Sequence, residues 1–229
     1  MKLAIMQPYL FPYIGYFQLI GAADTFIIYD DVNYINRGWI NRNRLLINGS
    51  DQLFTLQLQK ASQNKLINEI TVGGNRDQLV RTIEQAYKKA PFFDGVFPVL
   101  ASIIQSEEPN LARFIGHSIE EISRSLGLQT AIVYSSAIPK NTLLKAQAKI
   151  LDICERMKAD TYINPINGRE LYEKDAFRER HIDLYFLKTG TIQYSQFDNV
   201  FVPMLSIVDV MMFNPTADIA AMLTTYELI

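Results

Sequence analysis

The chain has 229 residues, a formal net charge of -2, and a composition that is 48% hydrophobic and 11% aromatic. That balance supports a large buried core and argues against extensive disorder, and the near-neutral charge without a basic tail argues against general nucleic-acid binding. A single cysteine, Cys154, excludes an internal disulfide; with no leader pattern and no run of about eighteen apolar residues, a cytoplasmic protein with no transmembrane segment is expected.

The first apolar run, Leu3–Met6, reads as a short buried strand. Pro12 leads into a helix predicted over Tyr13–Ala22, and the β-branched and aromatic run Thr25–Tyr29 predicts a second strand. Strand, helix, strand is the opening of a right-handed βαβ unit. RLLI from Arg44 and LFTLQL from Leu53 then flank Asn48-Gly49-Ser50-Asp51. This is a hairpin signature, because Asn-Gly supplies the backbone angles of a tight turn. Helices are predicted over Gln78–Lys89, Val96–Gln105 and Leu111–Leu126, making a helical insert near 76–127. Thr130–Tyr134 returns to a core strand. Asn141–Lys158 is the clearest helix, with Leu143, Leu144, Gln147, Ile150, Leu151, Cys154 and Met157 recurring at steps of three and four. Cys154 on that face reads as inert packing. Strands are expected at Thr161–Asn164 and Ile182–Leu187, and a last helix within Leu205–Phe213. The alternation at both ends predicts an α/β fold: an open, mainly parallel Rossmann-like sheet with a β-hairpin and a helical insert, in one domain spanning 1–229.

In open α/β sheets ligands bind beyond the carboxyl ends of the strands, so the residues after Met6 and after Tyr29 share one rim. Gln7 and Pro8 begin the first rim segment. A helix starting near Tyr13 offers free backbone N–H groups to an anion, and Gly15 in its first turn keeps a side chain out of the approach. The stretch NRGWINRNR adds Arg37, Arg42 and Arg44. Arg42 and Arg44 point the same way in an extended chain, and two guanidinium forks suit a polyphosphate, or a phosphate beside a carboxylate. Trp39 offers a stacking face; Asn36, Asn41 and Asn43 offer polar contacts. The same residues also have plainer readings. Tyr9, Phe11, Tyr13, Tyr16 and Phe17 suit a core, Trp39 suits packing, and the arginines suit a solvated face or a structural salt bridge.

Asp30 and Asp31 end the second strand. Adjacent carboxylates on a strand face opposite ways, so one of them pairing with an arginine is expected ahead of a shared Mg²⁺. YINPINGRELY follows a later strand and makes Asn164, Arg169 and Tyr172 candidates for the far side of the pocket, the alternative being an ordinary turn. His117 and His181 lack partners at metal-ligand spacing, so no metal site is predicted. Asp209 in an apolar helix needs a polar partner and reads as structural, anchoring the arginine-rich loop. The G-x-S-x-G, G-x-G-x-x-G and long phosphate-loop motifs are absent.

Four stretches, MKLAIMQPYLFPYIGYFQLI, YDDVNYINRGWINRNRLL, YINPINGRELY and FVPMLSIVDVMMFN, together resemble the WbqC-like protein family, and the likeness covers nearly the whole chain. Members of that family occur among bacterial genes for O-antigen and other surface polysaccharides, so the resemblance implies a role in making or modifying a sugar, as in lipopolysaccharide biosynthesis. A second likeness is one of layout: PYIGYFQLIGAADTFIIY is similar to the nucleotidylyltransferase and pantothenate-synthetase superfamily. Those proteins carry His-x-Gly-His after the first strand to handle ATP phosphates. Here Tyr13 and Tyr16 stand at the histidine positions and Gly15 keeps the glycine. Tyrosine offers no titration near neutrality, which weakens a nucleotidyl-transfer reading.

The resemblance and the rim together imply a transferase or ATP-dependent ligase acting on a nucleotide-linked amino sugar by acyl or aminoacyl transfer. ATP and Mg²⁺ are its candidate cofactors. Arg37, Arg42 and Arg44 would hold phosphates or developing charge, with Arg42 also a catalytic candidate. Asp30 or Asp31 would be the base toward an attacking amine. The alternatives are a nucleotidyltransferase-like enzyme and a non-catalytic sugar-nucleotide-binding or scaffold protein serving the same pathway enzymes. The expected partner is a nucleotide-linked sugar or an activated acyl donor, not a nucleic acid.

Overall fold

Apolar runs from both ends of the chain meet in one sheet. The structure, a computed structural model, describes residues 1–198 and 200–229. In chain order the elements are β1 (Lys2–Met6), α1 (Ile14–Gly21), β2 (Thr25–Ile28), β3 (Arg42–Ile47), β4 (Ser50–Thr55), β5 (Leu58–Gln59), β6 (Thr71–Val72), α2 (Arg76–Tyr87), α3 (Phe93–Ile104), α4 (Leu111–Ser125), β7 (Ala131–Tyr134), α5 (Ala146–Arg156), β8 (Thr161–Pro165), α6 (Lys174–Arg178), β9 (Asp183–Thr189), α7 (Ile207–Phe213), α8 (Thr216–Leu223) and β10 (Tyr226–Leu228).

Six strands form the main sheet in the order β10-β9-β8-β1-β2-β7. All neighbours pair in parallel except β10, which runs antiparallel to β9. The parallel strands thus run outward from β1 through β2 to β7, and the chain then returns to add β8 and β9 on the other side. This is an open Rossmann-like α/β fold with hairpin and helical insertions, and its topological switch point lies between β1 and β8.

Both faces of the sheet are covered, which is why its strands read as continuous apolar runs. Ala4, Phe26 and Ile28 face the helices α1 to α4, α7 and α8, while Leu3, Ile5 and Ile27 face α5 and α6. Among the described residues, no helix is long and apolar enough to cross a membrane.

Between β2 and β7 the chain inserts the β3–β4 hairpin, the short β5–β6 pair and helices α2 to α4. The hairpin turns at Asn48 and Gly49, whose φ values of 51° and 74° are the left-handed angles this two-residue turn requires. Ser206 caps α7 through a hydrogen bond from the Val208 N–H, and its hydroxyl donates to the Phe11 carbonyl at 2.7 Å. The Ser206 N–H reaches the Arg44 carbonyl at 3.0 Å, so α7 clamps β3 against the turn that follows β1.

Two local expectations change. The helix predicted from Asn141 begins only at Ala146. The Asn141 side chain instead accepts from the Leu143 N–H at 3.0 Å and closes a turn, leaving Leu143 86% exposed. Asp209 is buried as expected, but its direct partners are not arginines. It accepts from Tyr87 Oη at 2.9 Å, Tyr194 Oη at 2.7 Å and Gln196 Nε2 at 2.6 Å. The link to β3 runs through Tyr87, whose hydroxyl accepts from the Leu46 N–H at 2.9 Å. Burial raises the Asp209 carboxyl above its ordinary range, although the three donors oppose the shift.

Candidate functional site

The carboxyl ends of β1, β2, β7 and β8 form the rim on which ligands of such sheets sit. After β1 the chain passes Gln7 and the buried Pro8. The Leu10 N–H meets the carbonyls of Trp39 and Ile40 at 3.3 and 3.1 Å. Asn43 Nδ2 closes the same junction by donating to Leu10 and Phe11 carbonyls at 3.0 and 2.9 Å. The segment after β1 and the arginine-bearing segment after β2 are therefore in direct backbone contact.

Around that junction the candidate residues divide. Tyr16 is 3% exposed, and its hydroxyl donates to the Gln7 carbonyl at 2.9 Å. Burial, then the neighbouring Tyr9, raises its pKa well above the ordinary value, so it behaves as a neutral core tyrosine. A Cβ on Gly15 would lie 2.3 Å from the Tyr13 ring, so that ring takes the room the glycine leaves. Tyr13 and Ile14 line a cavity of about 290 Å³ with Tyr194, Phe201, Pro203 and Leu205, and none of the three candidate arginines lines it.

Those arginines gather at Trp39 instead. The Cζ atoms of Arg42 and Arg44 stand 5.9 and 5.4 Å from the Trp39 ring centroid, within cation–π range. Arg42 also closes its own loop, donating from Nε to the Gly38 carbonyl at 3.0 Å and from Nη2 to the Arg37 carbonyl. Arg44 pairs with Asp51 across the hairpin at 3.2 Å. Arg37 is exposed, and Trp39 is 40% exposed. Asn41 is fully engaged, accepting from Tyr34 Oη and donating to the Leu56 carbonyl, each at 2.8 Å.

Asp30 and Asp31 take separate partners, as their places on consecutive strand-end residues imply. Asp31 pairs with lysines where an arginine was expected: Lys140 Nζ at 2.8 Å and Lys149 Nζ at 3.2 Å. The arginines are held away by their own hairpin, while α5 and the turn before it deliver the two lysines. Burial pushes the Asp31 carboxyl up, but hydrogen bonds and the two lysine charges outweigh it and hold the pKa below the ordinary value. Lys149 Nζ also lies 4.9 Å from the Tyr29 ring centroid.

Asp30 is 2% exposed. Its Oδ1 accepts from the Ser136 N–H at 2.9 Å, and its Oδ2 accepts from Ser136 Oγ at 2.6 Å and Asn68 Nδ2 at 3.3 Å. These bonds hold the carboxylate at the wall of a cavity of about 730 Å³, which Glu108, Arg113, His117, Glu120 and Tyr134 also line. Helix α4 supplies Arg113, His117 and Glu120 at steps of four and three, opposite its buried stripe of Leu111, Phe114, Ile115, Ser118 and Ile122. Tyr134 at the end of β7 lies against α4: a Cβ on Gly116 would stand 2.0 Å from its hydroxyl. Burial raises the Glu120 carboxyl above its ordinary value, opposed by His117 and Arg124. Sequence reasoning did not assign the α4 wall. Its signal was the i, i+4, i+7 spacing around one of only two histidines. Among the described residues, no group of three or more His, Cys, Asp or Glu is placed to hold a metal ion.

The far-side candidates separate. Asn164 is 6% exposed, donates to Tyr162 Oη at 2.8 Å, and has its Oδ1 where a Gly168 Cβ would come within 2.3 Å. Tyr172 packs edge-on against Tyr162 at 5.7 Å and Phe177 at 5.8 Å. Both belong to the packed layer under the end of β8. Arg169 is exposed on the 3₁₀ turn Ile166–Leu171.

A switch-point sheet with a polar cavity at its carboxyl rim defines a Rossmann-like α/β protein. The chain belongs to the WbqC-like protein family, whose sequence profile matches residues 7–221. It is 30% identical over 226 residues to the protein named uncharacterized protein Rv1507c of Mycobacterium tuberculosis (strain ATCC 25618 / H37Rv), with 95% of each chain covered. No solved structure matches the chain.

Proposed function

We propose that the protein is an enzyme of bacterial surface-polysaccharide biosynthesis that transfers an acyl or aminoacyl group to the amine of a nucleotide-linked amino sugar. The observation that carries this reading is Asp30: a carboxylate fixed by Ser136 and Asn68 at the wall of a roomy polar cavity, at the carboxyl end of β2. There it serves as the base. The sugar amine attacks the acyl carbon, the N–C bond forms, the amine proton passes to Asp30, and the leaving group departs with its electron pair. Asp31, neutralised by two lysines, positions the strand end. Arg42, Arg44 and Trp39 suit the nucleotide, with guanidinium groups for phosphate and an exposed indole for the base.

ATP with Mg²⁺ would activate a free acid. A magnesium ion that arrives with substrate phosphates would need only one or two protein carboxylates. Nucleotidyl transfer at the turn after β1 is disfavoured, because Tyr16 is buried and hydrogen-bonded to Gln7.

The test is incubation of the protein with nucleotide-linked amino sugars, carboxylic and amino acids, ATP and Mg²⁺, followed by mass spectrometry. An acylated sugar nucleotide is expected, and Asp30→Asn is expected to slow its formation by about 10²–10⁴-fold. Saturable sugar-nucleotide binding with no product from any donor would make the protein a binding module of the pathway. Neither binding nor product would overturn the proposal.

A further inference from the structure

The cavity beside Asp30 has two kinds of charge on its walls. Asp30, Glu108 and Glu120 bring carboxyl groups, and Arg113 and His117 bring nitrogen donors. Most of its neutral groups are already committed to building it. Asn110 Nδ2 donates to the Asn68 carbonyl at 2.6 Å, its Oδ1 accepts from the Arg113 N–H at 3.1 Å, and Ser136 holds Asp30. Arg113 is differently placed. Arg37, Arg42, Arg76, Arg81, Arg113 and Arg169 form no salt bridge among the described residues, and of these Arg113 is the one that lines this cavity. His117 approaches Glu121 only to 3.9 Å. A guanidinium without a salt bridge among the described residues thus lines the cavity one helical turn from an imidazole, and a guanidinium fork matches a carboxylate in two parallel hydrogen bonds.

We infer that the α4 wall of this cavity binds the carboxylic-acid substrate as a small zwitterionic amino acid, its carboxylate on Arg113 and His117 and its ammonium on Glu108. This deepens the reading above and rests on it: Asp30 remains the base for the sugar amine, and the amino acid is the aminoacyl group to be transferred. Glu108 keeps capacity for the ammonium: its Oε1 accepts from the Asn110 N–H at 2.8 Å, and a carboxylate offers further acceptor sites. A volume of about 730 Å³ holds more than an amino acid, which leaves space for the sugar beside it. An anion alone, such as phosphate, would satisfy Arg113 but leave Glu108 and Glu120 opposed to it.

The experiment uses the full chain with glycine as the probe. The chain has only two histidines, so the ring-proton NMR signals of His117 are assigned by comparison with His181→Gln. Glycine is expected to shift the His117 signals saturably, while acetate and ethanolamine, which each carry one half of the zwitterion, bind more weakly. Arg113→Gln is expected to weaken glycine binding by about tenfold or more, and Arg113→Lys by less, because lysine keeps the charge but not the fork. Arg113 is exposed and forms no salt bridge among the described residues, so both variants are expected to fold, and circular dichroism checks that.

Unmoved His117 signals, glycine affinity unchanged in Arg113→Gln, or inorganic phosphate binding more tightly than glycine would each overturn the inference. If glycine fails while the acylated sugar nucleotide still forms, the inference falls and the transferase reading stands. If glycine binds as expected while no product forms, the site stands and the transferase reading falls.

Discussion

Asp31 lies between two ammonium groups that are almost withdrawn from water, with Lys140 and Lys149 side chains 2% and 10% exposed. Removing its charge would leave two buried cations without a counter-ion. Asp31→Asn is therefore expected to cost about 3–5 kcal/mol, read as a lowered urea midpoint at neutral pH. The pH dependence follows from the sign of the shift. The folded pKa of Asp31 lies below its ordinary value of 3.8, so its contribution is present above that value and lost as pH falls through the folded pKa. Asp209 has the opposite sign. Burial raises its folded pKa, so its contribution is complete below 3.8 and is lost as pH rises through the raised value. Urea melts from pH 4 upward should show this second loss in the native chain and not in Asp209→Asn. Equal slopes in the two proteins would remove Asp209 as the cause. Little of this detail was legible in the sequence: the Asp30-Asp31 pair marked the rim, but the partners that separate the two acids come from Ser136, Lys140 and Lys149, more than a hundred residues later.

Helix α4 shows what patterning reveals and what it hides. Its extent and apolar stripe follow from Leu111, Phe114, Ile115, Ile119 and Ile122 at helical spacing. Its opposite stripe looks like any solvated face, and only the tertiary placement of β7 and the segment before α4 makes that face a cavity wall. The N-cap carries the join. Asn110 accepts from the Arg113 N–H and donates to the Asn68 carbonyl, so one side chain starts α4 and fixes the loop that supports Asp30. Asn110→Ala is expected to lower stability by about 1 kcal/mol or somewhat more, measured by thermal melting. It should also weaken the hold on Asp30, lowering turnover by more than the stability loss explains. Gly116→Ala tests the wall itself. Its Cβ would meet the Tyr134 hydroxyl at 2.0 Å and must displace the ring, a strain of about 1–3 kcal/mol that exceeds the helix-propensity gain of alanine. A melting point at or above that of the native chain would show that Tyr134 does not pack there. In α5 the apolar periodicity was correct from Ile150 onward, but Asn141 competes locally for the backbone and delays the helix start to Ala146.

At the scale of the whole molecule, the alternation of strand and helix was readable because both faces of the sheet are buried. The β10 edge was not, since Tyr226–Leu228 is short, partly exposed and defined by main-chain pairing to β9. Nor did the sequence show how the insert between β2 and β7 returns to the rim. It does so through Asn43, which binds the turn after β1, and through Arg44, whose carbonyl binds Ser206. The Trp39 face is thereby tied to segments from the start and the end of the chain, and the proposed nucleotide contact at Trp39 can be tested there. Trp39 is the sole tryptophan, so fluorescence excited selectively at tryptophan reports on this face. A nucleotide-linked sugar is expected to quench it saturably, with affinity falling as salt screens the phosphate contacts. The Arg42→Gln, Arg44→Gln pair should lose about tenfold to a hundredfold in affinity, since both forks go. Arg42 also holds the carbonyls of Arg37 and Gly38, so Arg44→Gln alone separates phosphate binding from loop closure. Its own partner, Asp51, lies on the exposed hairpin, and loss of that pair should change stability by less than about 1 kcal/mol. If Arg44→Gln and the double variant both bind the sugar nucleotide as tightly as the native chain, the nucleotide does not sit at Trp39, and the cavity beside Asp30 must accommodate the whole substrate.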